Sequence, residues 1–168
     1  MADFETDIID IPQDTINKNN PTADTGGGSA GPSGNTLKQE EIDNLGKNQT
    51  SVNFVGYYFE SEDGKYKAQV LKLNDGSGAI VNALKLKGVD TNNKEVKRTY
   101  HIPSARNAND TSATYRVFEC SIIGDQNTRT EVTFYNGGKL TLKLQNSSGT
   151  DYTLTLALKG KYTDDKIG

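Results

Sequence analysis

Leu140, Leu142 and Leu144 alternate with Thr141 and Lys143, and Leu154, Leu156 and Leu158 alternate with Thr155 and Ala157. Strict period-two alternation fits a half-buried strand and not a helix, because successive strand side chains point to opposite faces. For both triads to share a face, the connection between the two strands must hold an odd number of residues, such as Ser148-Gly149-Thr150. Asn136-Gly137-Gly138, also odd, brings Val132 and Phe134 to the same face. Val132, Phe134, the six leucines and Tyr152 are therefore expected to line one core wall. A one-residue slip would turn all of them to water.

The same punctuation runs back to Ser51. Candidate strands are Val52–Glu60, Lys65–Leu73, Ala79–Lys87, Lys94–Ile102, Ala113–Ile123, Arg129–Asn136, Lys139–Asn146 and Tyr152–Lys161. Turn residues such as Asp63-Gly64, Asp75-Gly76 and Asn136-Gly137-Gly138 separate them. A two-residue Asp63-Gly64 turn would set Phe59 against Ala68. A switch from Tyr66/Ala68/Val70 to Leu71/Leu73 suggests a bulge near Lys72. Eight short strands at this spacing predict an all-β domain at residues 51–168, an antiparallel β-sandwich of Ig-like or jelly-roll-like form.

Residues 1–50 have another character. Phe4, Ile8, Ile9 and Ile11 are spaced by acids, which makes Met1–Ile16 too apolar for a solubility tail and too short to fold alone. It reads as a docking peptide whose anchors are these four side chains. Asn17–Asn35 contains Gly26-Gly27-Gly28, Gly31, Pro32 and Gly34 and reads as a tether. Its 19 residues span about 24 Å as free coil and about 65 Å when taut. Thr36 to Gln39 fits a capping box before a helix over Leu37–Leu45, with Gly46 as its stop. So short a helix must dock, through Leu37, Ile42 and Leu45.

Charge follows the same division. Residues 1–50 carry nine acids and three bases, net −6, and the remainder sixteen bases and thirteen acids, net +3. Such an asymmetry suits an arm that lies on another subunit or partner. The overall pI of about 5.2 argues against nucleic-acid binding, and Lys94-Glu95-Val96-Lys97-Arg98 reads as a guarded strand edge. No apolar run approaches the ~18 residues of a membrane helix. The acidic first residues predict no secretory leader.

The single His101 and the single Cys120 both fall in strand contexts, where a structural role is expected. Asn74-Asp75-Gly76-Ser77-Gly78 lacks the ligand spacing of a calcium loop and reads as a turn. No cofactor, metal site or catalytic residue is expected, and the chain does not read as an enzyme.

In organisation the chain resembles small structural proteins of tailed-bacteriophage virions, the auxiliary or decoration capsid proteins and head-fibre adaptors. An acidic apolar peptide, a Gly-rich tether, a short helix and a Thr/Asn/Gly-rich β-domain carry the likeness. It implies a structural virion protein, made in the host cytoplasm and bound in many copies to the major capsid protein or other virion proteins. Its arm would hold the shell while the β-domain decorates or reinforces it. A carbohydrate- or protein-binding module on a flexible stalk, as in a head or tail fibre, is the alternative.

Overall fold

The computed structural model describes residues 34–35, 37–48 and 54–168. The chain divides into two compact units, Met1–Thr36 and Leu37–Gly168. In the first, the described residues form a two-residue strand, Gly34–Asn35. The arm anchors Phe4, Ile8, Ile9 and Ile11 lie outside the described residues.

The second unit holds eight strands: β1 (Tyr57–Ser61), β2 (Tyr66–Asn74), β3 (Ile80–Val89), β4 (Glu95–His101), β5 (Tyr115–Ile122), β6 (Asp125–Tyr135), β7 (Lys139–Gln145) and β8 (Asp151–Tyr162). Each pairs antiparallel with the next, and β8 pairs with both β7 and β1. The sheet thus closes into a barrel, where two packed sheets were expected. The cause lies in β8. Its residues 151–157 pair with β7, residues 156–161 pair with β1, and a register shift between Leu158 and Gly160 lets the strand bend from one neighbour to the other. Side-chain alternation fixes which face is apolar, but not whether that face meets a second sheet or curls upon itself.

The expected core wall is in place. Val132 opposes Leu142, Phe134 opposes Leu140, and Leu154 and Leu156 oppose Leu142 and Leu140. The connection after β7 has five residues, Asn146–Thr150, which preserves the odd parity that the leucines require. Phe59 opposes Ala68, the register expected from the Asp63-Gly64 turn. The bulge expected near Lys72 is not found, since β2 pairs regularly with β3 from Tyr66 to Asn74. Leu71 and Ala83 oppose each other on the outer face and are buried there. The C-terminal segment lies over that face. Gln69 Nε2 donates to the Asp164 carbonyl at 3.0 Å, Lys166 N donates to Gln69 Oε1 at 2.7 Å, and Lys85 pairs with Asp165 at 2.6 Å.

One end of the barrel is plugged. The helix is shorter than expected, α1 (Gln39–Asp43), and a 3-10 turn at Leu45–Lys47 follows it. Its N-cap is Lys38, whose backbone N–H donates to the Glu41 carboxylate at 3.0 Å. Leu45 is fully buried in the barrel core, and Leu37 and Ile42 pack against it. Glu41 also accepts from Tyr57 Oη at 2.8 Å and Lys161 Nζ at 3.1 Å, tying the helix to β1 and β8. These bonds outweigh the desolvation that opposes them and hold the Glu41 carboxyl below its usual range. Gly46 N donates to Asn136 Oδ1 and Gly137 N to the Ile42 carbonyl, both at 2.8 Å, so the plug sits at the β6–β7 turn end. Phe54 completes it, stacked on Phe134 at 4.2 Å and edge-on to Phe118 at 5.6 Å.

Candidate functional site: a cleft at the open end

The opposite end carries the turns after β1, β3, β5 and β7. Two of these turns clasp. Asp90 accepts from Asn92 N at 2.8 Å and Lys94 N at 2.9 Å within its own turn, and from Ser147 N at 2.8 Å across the barrel. Asn92 Nδ2 donates to the Ser147 and Ser148 hydroxyls, and Asn146 Nδ2 to Thr91 Oγ1. The Lys94 N–H is the largest influence on the Asp90 carboxyl and, with those of Ser147 and Asn92, holds it below the usual carboxylate range.

Beneath the clasp the strands separate. β4 and β5 pair at Tyr100–Ile122 and His101–Ser121, with one more bond from Ile123 N to the Thr99 carbonyl at 2.9 Å, beyond which they part. β6 and β7 pair from Phe134–Leu140 to Val132–Leu142, beyond which the Thr130 hydroxyl donates to the Lys143 carbonyl. Between β5 and β6 the register slips after Ser121–Arg129, so Asn127 and Thr128 stand at the rim. The parting leaves a cleft of about 770 Å³, within the range of small-molecule sites. Its walls come from the upper halves of β4, β6, β7 and β8 and the end of β5. Because β4 parts from β5, its basic run does border an open strand edge, as the sequence suggested.

Val96, Tyr100, Ile122, Leu144 and Tyr152 supply the apolar wall. Tyr152 Oη lies 2.7 Å from Tyr66 Oη. At the rim Glu131 pairs with Lys143 at 2.9 Å and Arg106 at 2.5 Å, and these partners, Lys143 foremost, hold its carboxyl below the usual range. Arg98 lies between Val96 and Tyr100 on the inward-facing side of β4 and opposes the buried Leu86. Burial pushes the Tyr100 phenol up to about 12, against the opposing pull of the Arg98 charge. Arg98 was read from the sequence only as part of a basic edge. The signal that marks it is the alternation Val96, Arg98, Tyr100, in which a cation takes a core position.

The other singled-out residues lie elsewhere. Cys120 faces the barrel interior with no exposure, and burial pushes its thiol up to about 12. His101 is half-buried at the end of β4, opposite Ala83 and Ser121. Asn74–Gly78 forms a turn in which the Asn74 and Asp75 carboxyamide and carboxylate oxygens accept from Gly76 N and Ser77 N. Among the described residues no group of three metal-binding side chains occurs, and no helix is long and apolar enough to cross a membrane. No family model, curated protein or solved structure was found to match this chain.

Proposed function

We propose that this chain is a non-enzymatic structural component of a tailed-phage virion, held on the capsid surface by residues 1–36 and displaying the barrel as decoration or reinforcement. What supports the reading is the division of the chain. The barrel unit, Leu37–Gly168, packs its plugged half with its own side chains, including the fully buried Phe54, Phe59, Phe118 and Phe134. Its plugged end is stoppered by Leu45 from within the same unit. The apolar, acidic peptide with Phe4, Ile8, Ile9 and Ile11 belongs to the other unit and is the natural candidate for a partner's surface.

Four buried anchors contribute on the order of 1.5–3 kcal/mol each, and ordering the peptide opposes them by a comparable total. One arm would thus bind weakly, and repetition over a lattice would supply the retention. The test is the full-length chain with Phe4, Ile8, Ile9 and Ile11 replaced by Ser. Its barrel should melt as the parent does. Its copy number on gradient-purified particles, counted by quantitative peptide mass spectrometry, should fall at least tenfold. Undiminished occupancy would overturn the arm's role.

A further inference from the structure

We propose that the cleft beneath the Asp90–Ser147 clasp binds a short acidic saccharide, with Arg98 receiving its carboxylate. The inference stands apart from the arm's role, since it rests on the barrel alone.

The argument begins with how this fold treats its two inward-facing guanidinium groups. Arg116, on β5 opposite Phe134, is 1% exposed and fully enclosed. Its Nε donates to the Asn48 carbonyl at 3.2 Å, and its Nη1 to the Asn107 and Asp110 carbonyls at 2.8 and 3.0 Å. That is a structural arginine, satisfied by backbone carbonyls that it staples together. Arg98 also points inward on β4 but is only half-buried at the cleft, and its hydrogen bond among the described residues is one of 3.3 Å to the adjacent Lys97 carbonyl. A guanidinium offers five donors in a planar fork that matches a carboxylate. A half-buried guanidinium of this kind keeps most of its donors free for water or an anion in the cleft. The cleft opens at that place, and of the two carboxylates that line it, Glu131 is already paired with Lys143 and Arg106, while Asp151 stands exposed at the start of β8.

The remaining lining selects the rest of the ligand. Asn127, Thr128, Thr130, Gln145 and Thr153 present amides and hydroxyls around the opening, and Tyr100 and Tyr152 present ring faces and phenols. Such a mixture suits a polyhydroxylated body with one carboxylate rather than an alkyl chain, which would leave these polar groups unpaired. A volume of about 770 Å³ admits one or two sugar rings.

The full-length, isotope-labelled protein is titrated with 3′-sialyllactose, digalacturonate, neutral lactose, decanoate and inorganic phosphate, following amide signals at Asn127–Thr130, Leu144 and Thr153. One of the two carboxylated saccharides should bind with a dissociation constant below about 1 mM, at least tenfold tighter than lactose and tighter than decanoate or phosphate. Arg98→Gln should weaken that binding at least tenfold without lowering the melting temperature, since it gives up one long hydrogen bond. Arg98→Lys, which keeps the charge and loses the fork, should fall between the two and serves in place of Arg98→Gln if that variant does not fold. Absence of cleft shifts with both acidic saccharides, tighter binding of decanoate or phosphate, or equal binding by the parent and Arg98→Gln would each overturn the proposal.

Discussion

Replacing Phe54 with Ala tests whether the plug belongs to the barrel's core. Phe54 falls inside the candidate strand Val52–Glu60, but the strand begins only at Tyr57, and Phe54 precedes it with no exposed surface. It stacks on Phe134 at 4.2 Å with an interplanar angle of 24°, and meets Phe118 edge-on at 5.6 Å and Tyr57 at 6.4 Å. Truncation removes apolar burial and leaves a cavity that the closed barrel wall cannot readily collapse into. Phe→Ala changes of this kind cost about 3–5 kcal/mol. The barrel unit has 132 residues, so its unfolding entropy at the midpoint is about 0.28 kcal/mol/K and a 4 kcal/mol loss lowers Tm by about 14 °C. Urea unfolding followed by far-UV circular dichroism gives the free energy, and an unchanged denaturant slope shows that the same surface is exposed. Phe54→Leu should cost less than half as much. A loss under about 1 kcal/mol for Phe54→Ala would refute the plug.

Two further outcomes follow from the ionisable groups. The Asp90 carboxyl is held below its ordinary range when folded, so its contribution is complete above the unfolded value of ~3.9 and is lost as pH falls through the folded value. Asp90→Asn should therefore lose less stability than the parent between about pH 6 and pH 3 by urea midpoint; equal losses would show that the turn clasp carries no such linkage. Cys120 should resist a thiol-specific disulfide reagent at about pH 8 in the native protein and react fully once denatured, because its thiol is buried and pushed up to about 12. Rapid reaction of the folded protein would place that side chain at the surface.

Much of the barrel was legible because alternation and turn parity are local. The two leucine triads specified their shared face, and Phe59 and Ala68 their pairing, from spacing alone. Closure was not legible, since it depends on β8 serving two neighbours across the shift at Leu158/Gly160. Leu71 looked like a register fault because its cover comes from the C-terminal segment, held by Gln69 and Lys85 far away in sequence. The helix start moved from Thr36 to Lys38 because the Glu41 carboxylate, rather than Gln39, reaches back to cap it. The cleft was hidden for a related reason. It arises where strands part, and a sequence records which residues alternate but not where a ladder ends. Arg98 stood in plain view within the alternation, yet its significance depends on Arg116 having partners that Arg98 lacks among the described residues.

Electron cryo-microscopy of gradient-purified particles from cells that make this chain tests its proposed virion role most directly. Eight-stranded barrels should occupy fixed, repeated positions on the shell, with residues 1–16 lying on a neighbouring virion subunit. A shell without such barrels, in particles that yield no peptides of this chain, would contradict the proposal.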